Sequence, residues 1–290
     1  MRFSAMRHHF TEHVPFVLAM PAYLWQMYFL IVPLFFIAAI SFVSDMSSAS
    51  WFFTLAHYGE LVDKTYFKVI FNSALLSCLT GALCLFVGYP VAYYIAMKAR
   101  RFKQMFLVFL ILPSWTSFVV QIYSWFYLLQ KHGMFSNCAA LLHLTDGPVS
   151  LLNNYGATLL GMVYCYLPFM VLPLYTVLEK MDKRLLEAAA DLGASPWQIF
   201  STIVLPLSRS GIKVGLALVM VPAFGEFAIP DLMGGVKDMY LGRVIMEKFL
   251  QFRNWHSGAA VVMLSFLVPI FMVILLGVIV SMRKHLKTEE

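Results

Sequence analysis

Two carboxylates stand in a stretch where acids are costly. Glu226 and Asp231 fall in the apolar run Gly225-Glu226-Phe227-Ala228-Ile229-Pro230-Asp231. An ionisable residue inside a membrane-length apolar segment is a functional candidate by default. Glu226 lies 13 residues past Lys213. At 1.5 Å per residue that is about 20 Å along a helix, in the outer half of a span. Asp231 is nearer the surface. Carboxylates and aromatic faces together suit a cation. Trp115, Tyr123 and Trp125 in one apolar run, and Tyr164 and Tyr166 in the next, offer such faces. Pro222, Gly225 and Pro230 would loosen the helix around Glu226 and free carbonyl groups for a ligand. Structural roles compete with this reading. Glu226 could answer a buried base or a backbone donor, and Trp and Tyr also anchor membrane interfaces.

The second chemistry-bearing stretch is polar. Residues 182–211 begin with a short amphipathic helix. Lys183, Glu187 and Asp191 recur every four residues on one face, with Leu185, Ala188 and Leu192 opposite. Lys183 and Glu187 are spaced to pair. Gly193 ends the helix, because Gly takes the left-handed position without strain. Ser195-Pro196 starts another, with Ser as N-cap and Pro at the first helical position. It runs from about Trp197 to Val204, and Pro206 limits it. A surface loop needs no such helix-Gly-helix elbow, whereas a short helix flanked by small Ala residues can enter a groove on another protein. An amphipathic helix lying on lipid would favour Lys and Arg over these acids.

Other chemistries are missing. No G-x-x-x-x-G-K-[ST] occurs, so the chain has no phosphate-binding loop and its energy source is elsewhere. No H-E-x-x-H, Cys/His cluster or G-x-S-x-G appears, so there is neither a metal site nor a catalytic residue to name. His9 and His13, four apart, read as part of a solvated tail. Cys78, Cys84, Cys138 and Cys165 form no C-x-x-C and read as small core hydrophobes.

These residues need elements to hold them, and composition says which. Of 290 residues, 61% are hydrophobic and only 12% charged. A soluble domain is about a quarter charged. The chain is a polytopic membrane protein. Six apolar runs are long enough to span: roughly 21–43, 68–97, 105–129, 157–179, 212–232 and 258–282. The first belongs to an apolar stretch, Val14 to Val43, twice the length of a signal-peptide core, and is kept as a span. Prolines inside the runs fit ordinary helix packing, or broken helices that line a pathway. One set of polar segments, the N-terminal tail 1–13, the 98–103 hairpin, 180–213 and the C-terminal tail, carries 14 Lys and Arg; the other set carries 7. That bias puts both termini and the elbow in the cytoplasm. The net charge of +6 thus reflects topology. The basic residues form no basic-aromatic surface for nucleic acid.

The elbow also carries a resemblance. Glu187-Ala188-Ala189, then three residues, Gly193, then nine residues, and Ile203-Val204-Leu205-Pro206 together resemble the EAA loop of ABC importer permeases. Ile111-Leu112-Pro113-Ser114-Trp115-Thr116-Ser117-Phe118, Tyr166-Leu167-Pro168-Phe169-Met170-Val171-Leu172-Pro173 and Gly225-Glu226-Phe227-Ala228-Ile229-Pro230 look like the spermidine/putrescine permeases of bacterial polyamine importers. With the loop, these stretches fall within residues 85 to 255.

The resemblance implies an all-α permease, a single transmembrane domain over 1–290 in the bacterial inner membrane, with the coupling loop 182–211 between spans four and five. It implies a second homologous permease, two cytoplasmic ATPase subunits that hold ATP and Mg, and a periplasmic substrate-binding protein. This chain itself would bind no cofactor. Glu187, Ala188, Ala189, Gly193, Ile203, Leu205 and Pro206 would couple to the ATPase. A polyamine is a flexible polycation, so Glu226, Asp231, Trp115, Tyr123 and Tyr166 become candidates for its path. The same class of permease for ferric iron, sulfate or another organic cation is an alternative. So are a self-contained secondary transporter, which leaves the elbow unexplained, and an intramembrane enzyme, which lacks a nucleophile or metal set.

Overall fold

Every regular element among the described residues is helical, apart from one antiparallel bridge between Val43 and Phe53. In lipid a helix satisfies its own backbone groups, which suits so apolar a chain. The computed structural model describes residues 2–44, 53–99, 101–143, 147, 149–235 and 239–282, with the backbone alone for 2–18, 276 and 279–282. Several residues of the Lys and Arg count lie outside the described residues: Arg100, Lys237, Arg283, Lys284 and Lys287. The side chains of Arg2, Arg7, His9 and His13 do as well.

The helices in chain order are α1 (Arg2–Ser41), α2 (Ala56–Glu60), α3 (Lys64–Tyr93), α4 (Lys103–Ile111), α5 (Phe118–Leu129), α6 (Met134–Leu141) and α7 (Tyr155–Glu179). Then follow α8 (Lys183–Asp191), α9 (Pro196–Ile199), α10 (Leu205–Leu207), α11 (Arg209–Phe224), α12 (Ala228–Met233), α13 (Leu241–Met246) and α14 (Trp255–Met282). Four segments are long and apolar enough to cross a membrane: Ala19–Ser41, Lys64–Lys98, Tyr155–Glu179 and Trp255–Leu275. Two more arise if bent pairs count as single spans: Lys103–Trp115 with Phe118–Leu141, bent by 93°, and Pro196–Leu207 with Arg209–Phe224, bent by 63°. The expected tail 1–13 is helical from Arg2 and continuous with the first span.

Two expected spans are therefore not straight helices. The run 105–129 breaks at Pro113, where a 3-10 turn, Leu112–Trp115, ends α4. Proline removes a backbone donor and leaves carbonyls open. Side chains answer them. Ser114 donates to the Ile111 carbonyl at 2.6 Å, Thr116 to that of Pro113 at 2.7 Å, and Gln121 Nε2 to the Pro113 carbonyl at 2.6 Å. The run 212–232 stops at Phe224 and restarts at Ala228. Pro230 falls in the first turn of α12, where its missing N–H costs no bond. Pro168 and Pro173, by contrast, lie inside the unbroken α7.

The chain divides into two compact units. One comprises Asp63–Glu247 and Ser265–Glu290. Its core is built on α3, α7 and α11, with Leu76, Met162, Met170, Leu174, Val219 and Ile229 all but fully buried. Lys103, the first residue of α4, pairs with Glu179, the last of α7, and lies over the Tyr175 ring. The other unit comprises Met1–Val62 and Lys248–Leu264. There, Ser41 and Tyr58 hydroxyls meet at 2.8 Å, and His57 and His256 each contact a carbonyl near the end of α1. The cysteines split. Cys84 and Cys165 are buried as expected of small hydrophobes, whereas Cys78 and Cys138 are exposed.

Candidate functional site

The elbow is built by local chemistry. Asp182 caps α8, its carboxylate accepting from the Arg184 amide at 3.0 Å. Gly193 has φ +85°, the left-handed conformation that ends a helix. Ser195 and Gln198 then form a reciprocal capping box: the Gln198 side chain accepts from the Ser195 amide at 2.7 Å, and the Ser195 hydroxyl accepts from the Gln198 amide at 3.3 Å. The second helix outlasts its expected limit. A π-turn, Phe200–Val204, widens the helix, and Pro206 falls in the first turn of the short α10 that follows. The chain bends only at Ser208.

Glu187 and Ala188 are exposed and Ala189 is half-buried; Ile203, Leu205 and Pro206 are half-buried on the second arm. The apolar face of α8 lacks cover from the rest of the chain: Leu185 is 51% and Leu192 88% exposed. Trp197 on the second arm is 73% exposed. Lys183 and Glu187, spaced to pair, form no ion pair among the described residues. Glu187 is thus an uncommitted acid on an outward-facing helix.

The second arrangement is the break between α11 and α12. Glu226 is half-buried there, and its carboxylate accepts three hydrogen bonds. Oε1 takes the amides of Phe227 at 3.1 Å and Ala228 at 2.9 Å, which cap α12. Oε2 takes the Tyr166 hydroxyl at 2.9 Å. Tyr166 is itself buried on α7. The start of α13 packs directly on this break. A Cβ on Gly242 would overlap the Gly225 carbonyl oxygen and lie 2.9 Å from Phe227 Cβ, so only glycine fits. The Leu241 amide donates to Ser73 Oγ on α3 at 2.8 Å, fixing α13 in place.

Of the carboxylates and rings singled out in the sequence, Glu226 meets Tyr166, and Trp125 meets Tyr164. Asp231 is exposed and faces Arg243, Nη1 to Oδ1 at 3.4 Å. Arg243 also binds Glu247 at 2.9 Å. Trp115 is 80% exposed at the α4–α5 break, and Tyr123 packs its ring on Phe126. Trp125 and Tyr164 pack on each other, centroids 5.2 Å apart. None of these four bonds Glu226 or Tyr166 among the described residues. Sequence reasoning missed Gly242, Arg243 and Glu247. The four-residue spacing of Arg243 and Glu247 was a usable signal.

Comparison with known proteins bears on both arrangements. The family described as "Binding-protein-dependent transport system inner membrane component" matches residues 86–283, which include the α4–α5 break, the elbow and Glu226. The spermidine/putrescine transport system permease protein PotB of Escherichia coli (strain K12) is 40% identical over 238 residues, 81% of this chain and 86% of that protein. PotB of Haemophilus influenzae is 37% identical over 239 residues, 82% of this chain and 84% of that protein. Among solved structures, a chain of a bacterial ABC transporter involved in the import of the acidic polysaccharide alginate shares the fold. Its TM-score is 0.71, covering 96% of this chain and 98% of that one at 17% identity. The chain therefore belongs to the family of inner-membrane components of binding-protein-dependent transport systems, as a multi-pass permease subunit of an ABC importer.

Proposed function

We propose that this permease imports polyamines of the spermidine and putrescine class, together with a second homologous permease, two ATPase subunits that hold ATP and Mg, and a periplasmic binding protein. The observation that carries the mechanical half of this reading is the elbow. Its leucine face and Glu187 are exposed, and its two arms are held rigid by their caps. A capped, rigid helix with an uncovered apolar face suits a groove on a partner. Glu187, Ala188, Ala189 and Gly193 form the inserted arm. Ile203, Leu205 and Pro206 carry its motion onward. Both termini and the elbow face the cytoplasm, in line with the excess of Lys and Arg on that side.

The substrate half rests on the names of the relatives and on the Glu226–Tyr166 pair. An ammonium group approaching the break would meet a carboxylate already held by three donors, in surroundings where charge pairs are strong. Asp231, Trp115 and Tyr123 flank the path as exposed acid and aromatic faces. ATP-driven closure of the ATPase subunits pulls on the elbow, the spans rock, and the binding protein delivers substrate on the far side.

The test is purification of the tagged chain from its native membrane in mild detergent, with and without Glu187→Ala. The wild-type chain brings an ATPase subunit and a second permease, and the variant loses most of the ATPase. Recovery of the chain alone, or only as a homodimer, refutes the importer assembly.

A further inference from the structure

Two buried polar contacts tie α3 to α11, and their spacing is matched. At the elbow end, the Tyr89 and Ser208 hydroxyls meet at 2.8 Å. Nearer the α11–α12 break, Ser77 Oγ donates to the Met220 carbonyl at 2.6 Å. Tyr89 lies 12 residues after Ser77, and Met220 lies 12 residues after Ser208. The helices run antiparallel in register, with the two contacts about 18 Å apart. Ser77 and Ser208 are fully buried and Tyr89 is 8% exposed. Between the contacts the helices touch closely: a Cβ on Gly81 would lie 2.7 Å from Met220 Cγ.

Ser208 sits where the elbow turns into α11 at 63°. Its hydroxyl also donates to the Leu205 carbonyl at 3.0 Å, so one side chain holds the last turn of the elbow and the Tyr89 hydroxyl. The Tyr89 ring meets Phe200 edge-on at 5.6 Å, and Phe200 stacks on the exposed Trp197 at 5.6 Å. A continuous set of rings therefore runs from the elbow surface to the buried hydroxyl pair. Beyond the bend, α11 is one unbroken helix from Arg209 to Phe224, and the Gly225–Phe227 break follows directly.

We infer that Tyr89–Ser208 and Ser77–Met220 clamp α3 and α11 into one rigid lever that carries motion of the elbow to the Glu226 break, with Tyr89 and Ser208 as positioning residues at its elbow end. This rests on the reading of the elbow as the ATPase-coupling element. Removing the Tyr89–Ser208 contact frees the elbow to flex about the bend, so that ATP hydrolysis continues while less of it reaches the break. Removing the Ser77 contact loosens the far end with the same effect.

The test uses the assembled importer in proteoliposomes with the binding protein and spermidine or putrescine. Tyr89→Phe, Ser208→Ala, the double variant and Ser77→Ala are compared with wild type for substrate moved per ATP hydrolysed and for ATPase subunit retained. Tyr89→Phe keeps the ring, so packing on Phe200 survives. The expected result is full retention of the ATPase and a fall in substrate per ATP of about two- to tenfold, the range for one interhelical hydrogen bond in a membrane. The double variant falls no further than the worse single one. Wild-type stoichiometry in all variants overturns the inference. So does a transport loss that only tracks loss of assembled complex. Glu187→Ala run in parallel separates the failures. If it leaves ATPase retention intact, the elbow reading has failed; if it releases the ATPase while the hydroxyl variants stay coupled, only the lever has failed.

Discussion

Glu226 does two jobs with one carboxylate, and they can be separated by substitution. Oε1 caps α12 through two backbone amides, and Oε2 receives the Tyr166 hydroxyl. Glutamine keeps an acceptor for the amides but removes the charge. Glu226→Gln therefore assembles normally and lowers polyamine affinity about tenfold or more, the scale of one charge-assisted contact. Alanine removes the cap as well and costs a further ~1 kcal/mol of stability. Uptake by cells and thermal unfolding of the purified chain read the two effects separately; wild-type uptake by the glutamine variant removes Glu226 from the path. The acid itself was legible, since an ionisable group in an apolar run is conspicuous. Its bond to Tyr166 was not, because that contact joins residues 60 apart in sequence. Arg243 was hidden for another reason. It entered the sequence reading as one loop charge among seven, although it holds Asp231 and Glu247.

At the scale of elements, what is local in sequence was readable and what depends on distant or opposed side chains was not. Gly193 and the Ser195-Pro196 start of the second arm sit as read, because caps act within a few residues. The same locality makes a clean prediction. Nothing lies within 4 Å of a Cβ built at Gly193, so Gly193→Ala suffers only the strain of its positive φ. That strain is about 1–2 kcal/mol. The variant inserts and folds in the membrane but retains about five- to thirtyfold less ATPase, the binding equivalent of that strain. Quantified co-purification with the ATPase subunit measures it, and undiminished retention would show that the angle of the elbow is unimportant. The broken spans were harder to read. Hydropathy across 105–129 is continuous through Pro113, and the break becomes stable only because Ser114, Thr116 and Gln121 turn back onto the freed carbonyls. The same holds at 212–232, where Pro222 stays inside a helix while Glu226 and Pro230 begin a new one. Proline alone does not decide a break; the supply of replacement donors does.

For the whole molecule the open quantity is which side of the membrane each segment faces, and the native cysteines provide a reporter. Cys84 and Cys165 are buried among the packed helices, and Cys78, though exposed, lies in the middle of the α3 span, where lipid denies it to a charged reagent. Cys138 is exposed on α6, after the 105–129 run and before the α7 span. On the reading of the Lys and Arg asymmetry, 14 against 7, as a cytoplasmic bias, that segment would lie outside the cytoplasm. A membrane-impermeant maleimide should therefore label the wild-type chain in intact spheroplasts, and Cys138→Ala should abolish the signal. A cysteine introduced at Ala194, in the turn of the elbow, should react only in inside-out vesicles, and binding of the ATPase subunit should protect it. The two sites must respond oppositely, because one span, α7, separates them: the chain passes from α6 through α7 to the elbow. Labelling of Cys138 from the cytoplasmic side alone would invert the topology. The elbow would then face away from ATP, and both the coupling reading and the lever built on it would fall together.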